Sequence, residues 1–162
     1  MKIIPLSKSN IKQATDLTLN CFPWLKPDFD DYPPLVFKAS LKPEKYKDVF
    51  KKSKETNYEY YVLMDKEKVI GVTGSYESLK DKDEADWLGW TCINCKYQGK
   101  GIGKKLVEFI IKKSKKNQNK KFLRVYTNID KAGFYEKLGF IKFKPEKKIN
   151  KWYTRVDMQL RL

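Results

Sequence analysis

The chain has 162 residues, enough for one domain of ordinary size that buries a core without staples. A content of 41% hydrophobic and 14% aromatic residues argues against disorder, and no apolar run approaches the roughly 20 residues that span a bilayer. The net charge of +15 is uneven, because residues 81–162 hold 18 Lys and 3 Arg against 9 acids; that field favours an anionic partner, either a phosphate-bearing cofactor or nucleic acid, unless it reflects only a lysine-rich solvated surface.

In chain order, Lys2–Leu6 reads as a short strand. Ser9 is placed to cap a helix running to about Asn20, with Ile11, Ala14, Leu17 and Cys21 on one face. Phe22–Pro34, aromatic and broken by Pro23, Pro27 and Pro33, reads as a loop. Pro43 suits the first turn of a second helix, to about Lys54. Tyr58–Met64 and Val69–Tyr76 are β-rich runs around Asp65-Lys66-Glu67-Lys68, a hairpin signal. After a polar turn at Lys80–Glu84, Asp86–Ile93 reads as one strand. Gly101–Lys115 is an amphipathic helix, and Phe122–Thr127 a strand. A short helix over Lys131–Leu138 ends at Gly139, and Phe140–Lys144 and Tyr153–Leu162 are final strands. This mixed order, with hairpins and one strand–helix–strand crossover, predicts an α/β (α+β mixed) fold with a mixed sheet.

The N-terminus, Met1-Lys2-Ile3-Ile4-Pro5, has no apolar stretch of signal length, so the expected location is the cytoplasm, away from membranes. The chain has no histidine, which removes histidine bases and triads. Its cysteines are Cys21, Cys92 and Cys95, an odd number that suggests reduced thiols. Cys92 and Cys95 form a C-x-x-C. Zinc needs more ligands than the chain offers, and a thioredoxin-like pair opens a helix rather than closing a strand. The pair therefore reads as a strand thiol and a loop thiol, and no metal is expected.

The chemistry concentrates in Trp90-Thr91-Cys92-Ile93-Asn94-Cys95-Lys96-Tyr97-Gln98-Gly99-Lys100-Gly101-Ile102-Gly103-Lys104. A strand runs into a glycine-rich turn that opens a long helix. Glycines let backbone approach a ligand closely, and the first N–H groups of a helix lack internal partners and favour an anion. The P-loop pattern is absent, and Lys104 spoils a dinucleotide fingerprint. What remains, Gln98-x-x-Gly101-x-Gly103, resembles the acetyl-CoA signature of the GNAT acetyltransferase superfamily, Q/R-x-x-G-x-G/A. Asn128-Ile129-Asp130-Lys131-Ala132-Gly133-Phe134-Tyr135-Glu136-Lys137-Leu138-Gly139-Phe140 resembles a later element of the same family, with Ala132 one place nearer the tyrosine than is usual. The likeness covers about residues 58–144.

That resemblance implies a single N-acetyltransferase-like domain over residues 1–162, with a mostly antiparallel twisted sheet flanked by helices and splayed near its cofactor. It implies acetyl transfer from acetyl-CoA directly to a small-molecule or peptide amine by a monomer or homodimer. Backbone amides of Thr91, Cys92 and Ile93 would hold the thioester and pantetheine. Gln98, Gly99, Lys100, Gly101, Ile102, Gly103 and Lys104 would bind the pyrophosphate, and Asn128 the pantetheine arm or its own helix. Tyr135 would protonate the leaving thiolate, as a phenol of pKa near ~10 can. The carboxylate that serves some members as base falls on Trp87, so Asp86, Glu77 and Glu84 are the substitutes nearby, with a water chain as a further route. Asp28, Asp30 and Asp31 lie among Trp24, Phe29 and Tyr32, a lip suited to a cationic amine or simply a solvated turn. Two rival readings stay open. One is a basic nucleic-acid-binding module, drawn from the charge and the run Lys112 to Lys121. The other is a CoA-binding domain without catalysis, drawn from Trp87.

Overall fold

The computed structural model describes residues 1–117 and 119–162. Among the described residues, nine strands form one sheet in the order β1-β2-β3-β4-β6-β9-β7, with β5 on β3 and β8 on β9. They are β1 Lys2–Pro5, β2 Glu55–Asp65, β3 Lys68–Ser78, β4 Ala85–Leu88, β5 Cys92–Ile93, β6 Phe122–Asn128, β7 Ile141–Lys142, β8 Lys147–Lys148 and β9 Thr154–Arg161. Every pairing is antiparallel except β4 with β6. The helices are α1 Ile11–Cys21, α2 Pro33–Leu41, α3 Lys47–Ser53, α4 Ile102–Lys116 and α5 Ile129–Glu136.

Period-two alternation along the strands sorts apolar side chains onto two faces. Val62, Val72, Tyr60, Tyr76, Trp87 and Cys92 meet Ala14 and Leu17 of α1 and Val36 and Phe37 of α2. Leu88, Leu123, Val125, Val156 and Met158 meet Val107 and Ile110 of α4 and Ala132 of α5. Leu63 and Ile70 meet Ile102 and Leu106 of α4 on that second face. The crossover β4–α4–β6 thus covers one face, and the two early helices cover the other.

Four expectations need correction. Ser9 does not cap α1; Asn10 holds that position, without a side-chain cap, and its Oδ1 instead accepts the Ser7 N–H at 2.8 Å. Pro33–Leu41 is a helix within what reads as loop and its flank. Pro33 and Pro34 occupy its first turn, where no N–H has an intrahelical partner, so two prolines cost it nothing. The helix expected over 43–54 is a 3₁₀ turn, Pro43–Tyr46, followed by α3, which stops where Lys54 turns left-handed at φ 56°. The single strand expected over Asp86–Ile93 is broken into β4 and β5, and that break builds the site.

Candidate active site

β4 runs beside β6 through Ala85↔Phe122, Asp86↔Leu123 and Trp87↔Arg124. Beyond that point the two part. β6 continues on β9 to Asn128↔Arg155, while β5 stays on β3 through Val72↔Cys92 and Gly71↔Ile93. On β3, Val72 and Ser75 are three positions apart, while their partners Cys92 and Leu88 are four apart. The surplus residue is a bulge at Gly89–Thr91, and it bends one strand away from the other. Two strand edges therefore face each other across an open wedge without pairing, among the described residues.

The bulge is locked by its neighbours. Gly89 N–H bonds Gly74 O at 2.8 Å, and a Cβ at Gly89 would lie 2.8 Å from Tyr60 Oη, so a side chain there would displace the Tyr60 ring. The Tyr60 oxygen accepts the Trp90 backbone N–H. Thr91 Oγ1 bonds Gly89 O and Thr73 Oγ1, both at 3.0 Å. Trp90 Nε1 donates to Asp31 O at 2.8 Å, which pins the loop after α1 over the wedge.

From β5 the chain enters the glycine turn. Asn94 accepts the Lys96 N–H at 3.1 Å and starts a 3₁₀ turn, which Tyr97 anchors through its hydroxyl to Asp65 at 2.9 Å. Gln98 is extended, and Gly99 and Gly101 take φ of +75° and +72°. A Cβ on either would meet no protein atom within 4 Å. Both glycines therefore border open space at the start of α4, and no side chain caps that helix. The exposed N–H groups of its first turn, with Lys100 and Lys104 beside them, fit phosphate. Gly103 serves packing instead: its Cβ would lie 3.1 Å from Ile93 and 3.6 Å from Phe134 of α5. This close approach brings α5 against the cradle.

Tyr135 follows Phe134 and stacks edge-on against it and against Phe140. Burial pushes its hydroxyl up to about 12, so it is protonated at neutral pH. The hydroxyl makes no hydrogen bond among the described residues, although no fully buried polar side-chain atom there lacks a partner, so its oxygen opens outward. Asn128 caps α5, accepting the N–H of Ile129 at 2.9 Å and of Thr154 at 3.0 Å while donating to Trp152 O at 3.1 Å. Its side chain is thus largely committed to the protein, which leaves one amide N–H for a ligand.

The structure does not bring Asp86 and Glu77 to this cradle. Lys120 Nζ lies 2.9 Å from Glu77 and 3.9 Å from Asp86, and Asp86 also bonds Ser114 near the far end of α4. Ser114 is 12 residues along α4 from Ile102, about 18 Å at ~1.5 Å per residue. The two carboxylates line a separate groove of about 620 Å³ with Glu59 and Lys113, and Asp86 faces the α4 side of the sheet while Trp87 faces the other. Glu84 pairs with Arg124 at 2.8 Å. Trp87 donates its indole N–H to Asp81 at 3.0 Å, so no base stands in its place. Cys92 is buried against Thr18 and Cys95 is exposed, so the C-x-x-C thiols share no site.

Sequence reasoning gave no role to Gly89, Tyr60, Trp90 and Tyr126, which shape the wedge. A glycine inside a strand pattern, Leu88-Gly89-Trp90, was the signal available for the bulge.

A family model described as an acetyltransferase (GNAT) domain matches residues 25–162. No curated protein matches the chain in sequence. Among solved structures, the chain is similar to an aminoglycoside 6'-N-acetyltransferase complexed with coenzyme A (16% identity, 99% of this chain and 97% of that one, TM-score 0.72). It is also similar to a GNAT-family acetyltransferase from Staphylococcus aureus Mu50 (18%, 99% and 98%, TM-score 0.70). A third is the ribosomal-protein-S18-alanine N-acetyltransferase of Escherichia coli (16%, 99% and 92%, TM-score 0.70). At these identities the likeness is one of fold, and it extends over nearly the whole of each chain. With the wedge, the glycine turn and the family match in agreement, the chain belongs to the GNAT acetyltransferases and is an acyltransferase.

Proposed function

We propose that residues 1–162 act as one N-acetyltransferase domain that moves the acetyl group of acetyl-CoA directly to an amine. The observation that carries this reading is the wedge between β5 and β6, which leads to two left-handed glycines at the start of α4. Pantetheine is an extended chain with two amides, and an unpaired strand edge is the natural partner for such a chain. Backbone groups of Thr91, Cys92 and Ile93 line that edge, and an N–H aimed at the thioester oxygen stabilises the tetrahedral intermediate. Gln98 to Lys104 hold the pyrophosphate, with backbone N–H groups doing most of the binding and Lys100 and Lys104 adding charge. Tyr135 gives its proton to the departing thiolate. Asp86 and Glu77 take no part, because Lys120 holds both at the far end of α4.

The test has two readings. Acetyl-CoA mixed with a panel of primary amines should release thiol faster than acetyl-CoA alone. Gly101→Val places a branched side chain where only positive φ fits, so it should weaken CoA binding at least tenfold while the far-ultraviolet spectrum is kept. Calorimetry that finds unchanged CoA affinity in that variant would remove the cradle from the proposal.

A further inference from the structure

The wedge has an acid on one side and lacks a base at Trp87. Tyr135 sits on the α4/α5 side of the sheet. An incoming amine needs a proton acceptor on the opposite side, where α1 and α2 pack. The loop between those helices holds Asp28, Asp30 and Asp31, and the structure separates the three. Asp28 is exposed, and Asp30 is exposed and pairs with Lys52 at 3.2 Å. Asp31 turns inward.

Asp31 touches both arms of the wedge. Its backbone O accepts Trp90 Nε1 at 2.8 Å, from the arm that carries the bulge. Its carboxylate accepts the hydroxyl of Tyr126 at 3.0 Å, from β6, the other arm. Tyr126 is held in turn by the Arg155 guanidinium, 4.2 Å from its ring centroid, and Arg155 is itself paired with Asp157 at 2.7 Å. The carboxylate is thus fixed where the strands part, beside Trp90 and Tyr126. One Tyr126 hydroxyl uses a fraction of the lone pairs that a carboxylate offers, so capacity remains for a ligand's N–H groups.

We infer that Asp31 is the catalytic base on the acceptor side, and that the acceptor is a primary ammonium seated against Asp31. This rests on the acetyl-CoA reading above. The ammonium gives one proton to the Asp31 carboxylate. The freed nitrogen forms its bond to the thioester carbon, and the C–S bond breaks. The thiolate takes the Tyr135 proton, and the nitrogen releases its second proton to solvent. Tyr135 regains a proton from solvent and Asp31 returns its own, so one ammonium and one thioester become one amide, one thiol and one proton. Burial raises the Asp31 carboxyl above its ordinary value, which makes it a stronger base once ionised. A fixed carboxylate selects a cation, in a molecule whose charge of +15 otherwise repels one.

The experiment uses the full chain, wild type and Asp31→Asn. Asparagine keeps an oxygen for Tyr126 and leaves the Trp90 contact untouched. Melting temperature is followed with CoA alone, then with CoA plus n-butylamine, phenethylamine or a lysine tetrapeptide. Butan-1-ol and 2-phenylethanol serve as uncharged counterparts. Both proteins should gain the same shift from CoA. Wild type should gain a further shift from at least one amine and none from its alcohol, and Asp31→Asn should bind that amine at least tenfold more weakly and turn it over ~10²–10⁴-fold more slowly. Equal amine binding and turnover in Asp31→Asn overturns the assignment, and so does a wild type that tells no amine from its alcohol while CoA still stabilises it. Wild type that gains nothing from CoA overturns the acetyl-CoA reading itself, and the role of Asp31 with it.

Discussion

Tyr135 and Glu55 are two half-buried acids with opposite consequences. The Tyr135 hydroxyl has no protein partner among the described residues, so Tyr135→Phe should leave stability within about 0.5 kcal/mol of wild type, short of what a lost hydrogen bond costs. If it protonates the thiolate, single-turnover acetyl transfer should nevertheless slow by ~10²–10⁴-fold at unchanged CoA affinity. A variant with wild-type chemistry would hand that proton to solvent. Glu55 accepts the Tyr58 hydroxyl at 2.7 Å, and burial, with help from Asp31 and Asp30, pushes its carboxyl from 4.5 up to about 7. Between those values the folded chain keeps a proton that the unfolded chain gives up. Its contribution is therefore complete below about pH 4.5, is lost as pH rises to about 7, and is flat above. Glu55→Gln, which still accepts from Tyr58, should be more stable than wild type by about 1–3 kcal/mol at pH 8 and equal to it near pH 4.5. Urea melts at the two pH values decide, and a difference that does not change with pH would contradict the burial of that carboxyl.

Among the elements, α5 depends most visibly on one residue. Gly139 follows it at φ +89°, its N–H bonds Glu136 O at 2.9 Å, and the Phe140 N–H bonds Tyr135 O at 3.1 Å. This pair of bonds is a left-handed cap that satisfies the last carbonyls. A Cβ at Gly139 would also lie 3.2 Å from Leu160. Gly139→Ala should cost about 1–2 kcal/mol by denaturant melt, chiefly from the left-handed backbone. An alanine variant as stable as wild type would mean that the cap relaxes at no cost. The cap was legible in the sequence because Gly139 ends an apolar helical pattern. The first turn of α2 was not, because consecutive prolines signal a loop until they are known to sit at positions whose N–H groups need no partner. The hairpin β2–β3 was legible for a local reason, four polar residues between two runs rich in aromatic and β-branched residues.

For the molecule as a whole, the charge of +15 overstates the basic surface available to a partner. Lys113 is tied to Glu59 at 2.9 Å and Lys120 to Glu77 at 2.9 Å, so the lysine run at the end of α4 is partly neutralised. Random-sequence duplex DNA should therefore bind only weakly at physiological salt, with a steep salt dependence, whereas millimolar CoA should raise the melting temperature by mass action. Tight DNA binding without stabilisation by CoA would reverse that ranking. By itself the sequence determined the glycine turn, the amphipathic helix behind it, the strand–helix–strand crossover and the position of Tyr135, because each is set by residues within a few places of one another. The tertiary structure decided the rest. Whether Asp86–Ile93 is one strand or two depends on how Gly89 meets Tyr60, which is 29 places earlier in the chain. Which of several carboxylates reaches the site depends on Lys120, which draws Asp86 and Glu77 away, and on Trp90 and Tyr126, which draw Asp31 in. A carboxylate goes where its charge and lone pairs are satisfied, and those partners come from strands and loops that only folding brings together.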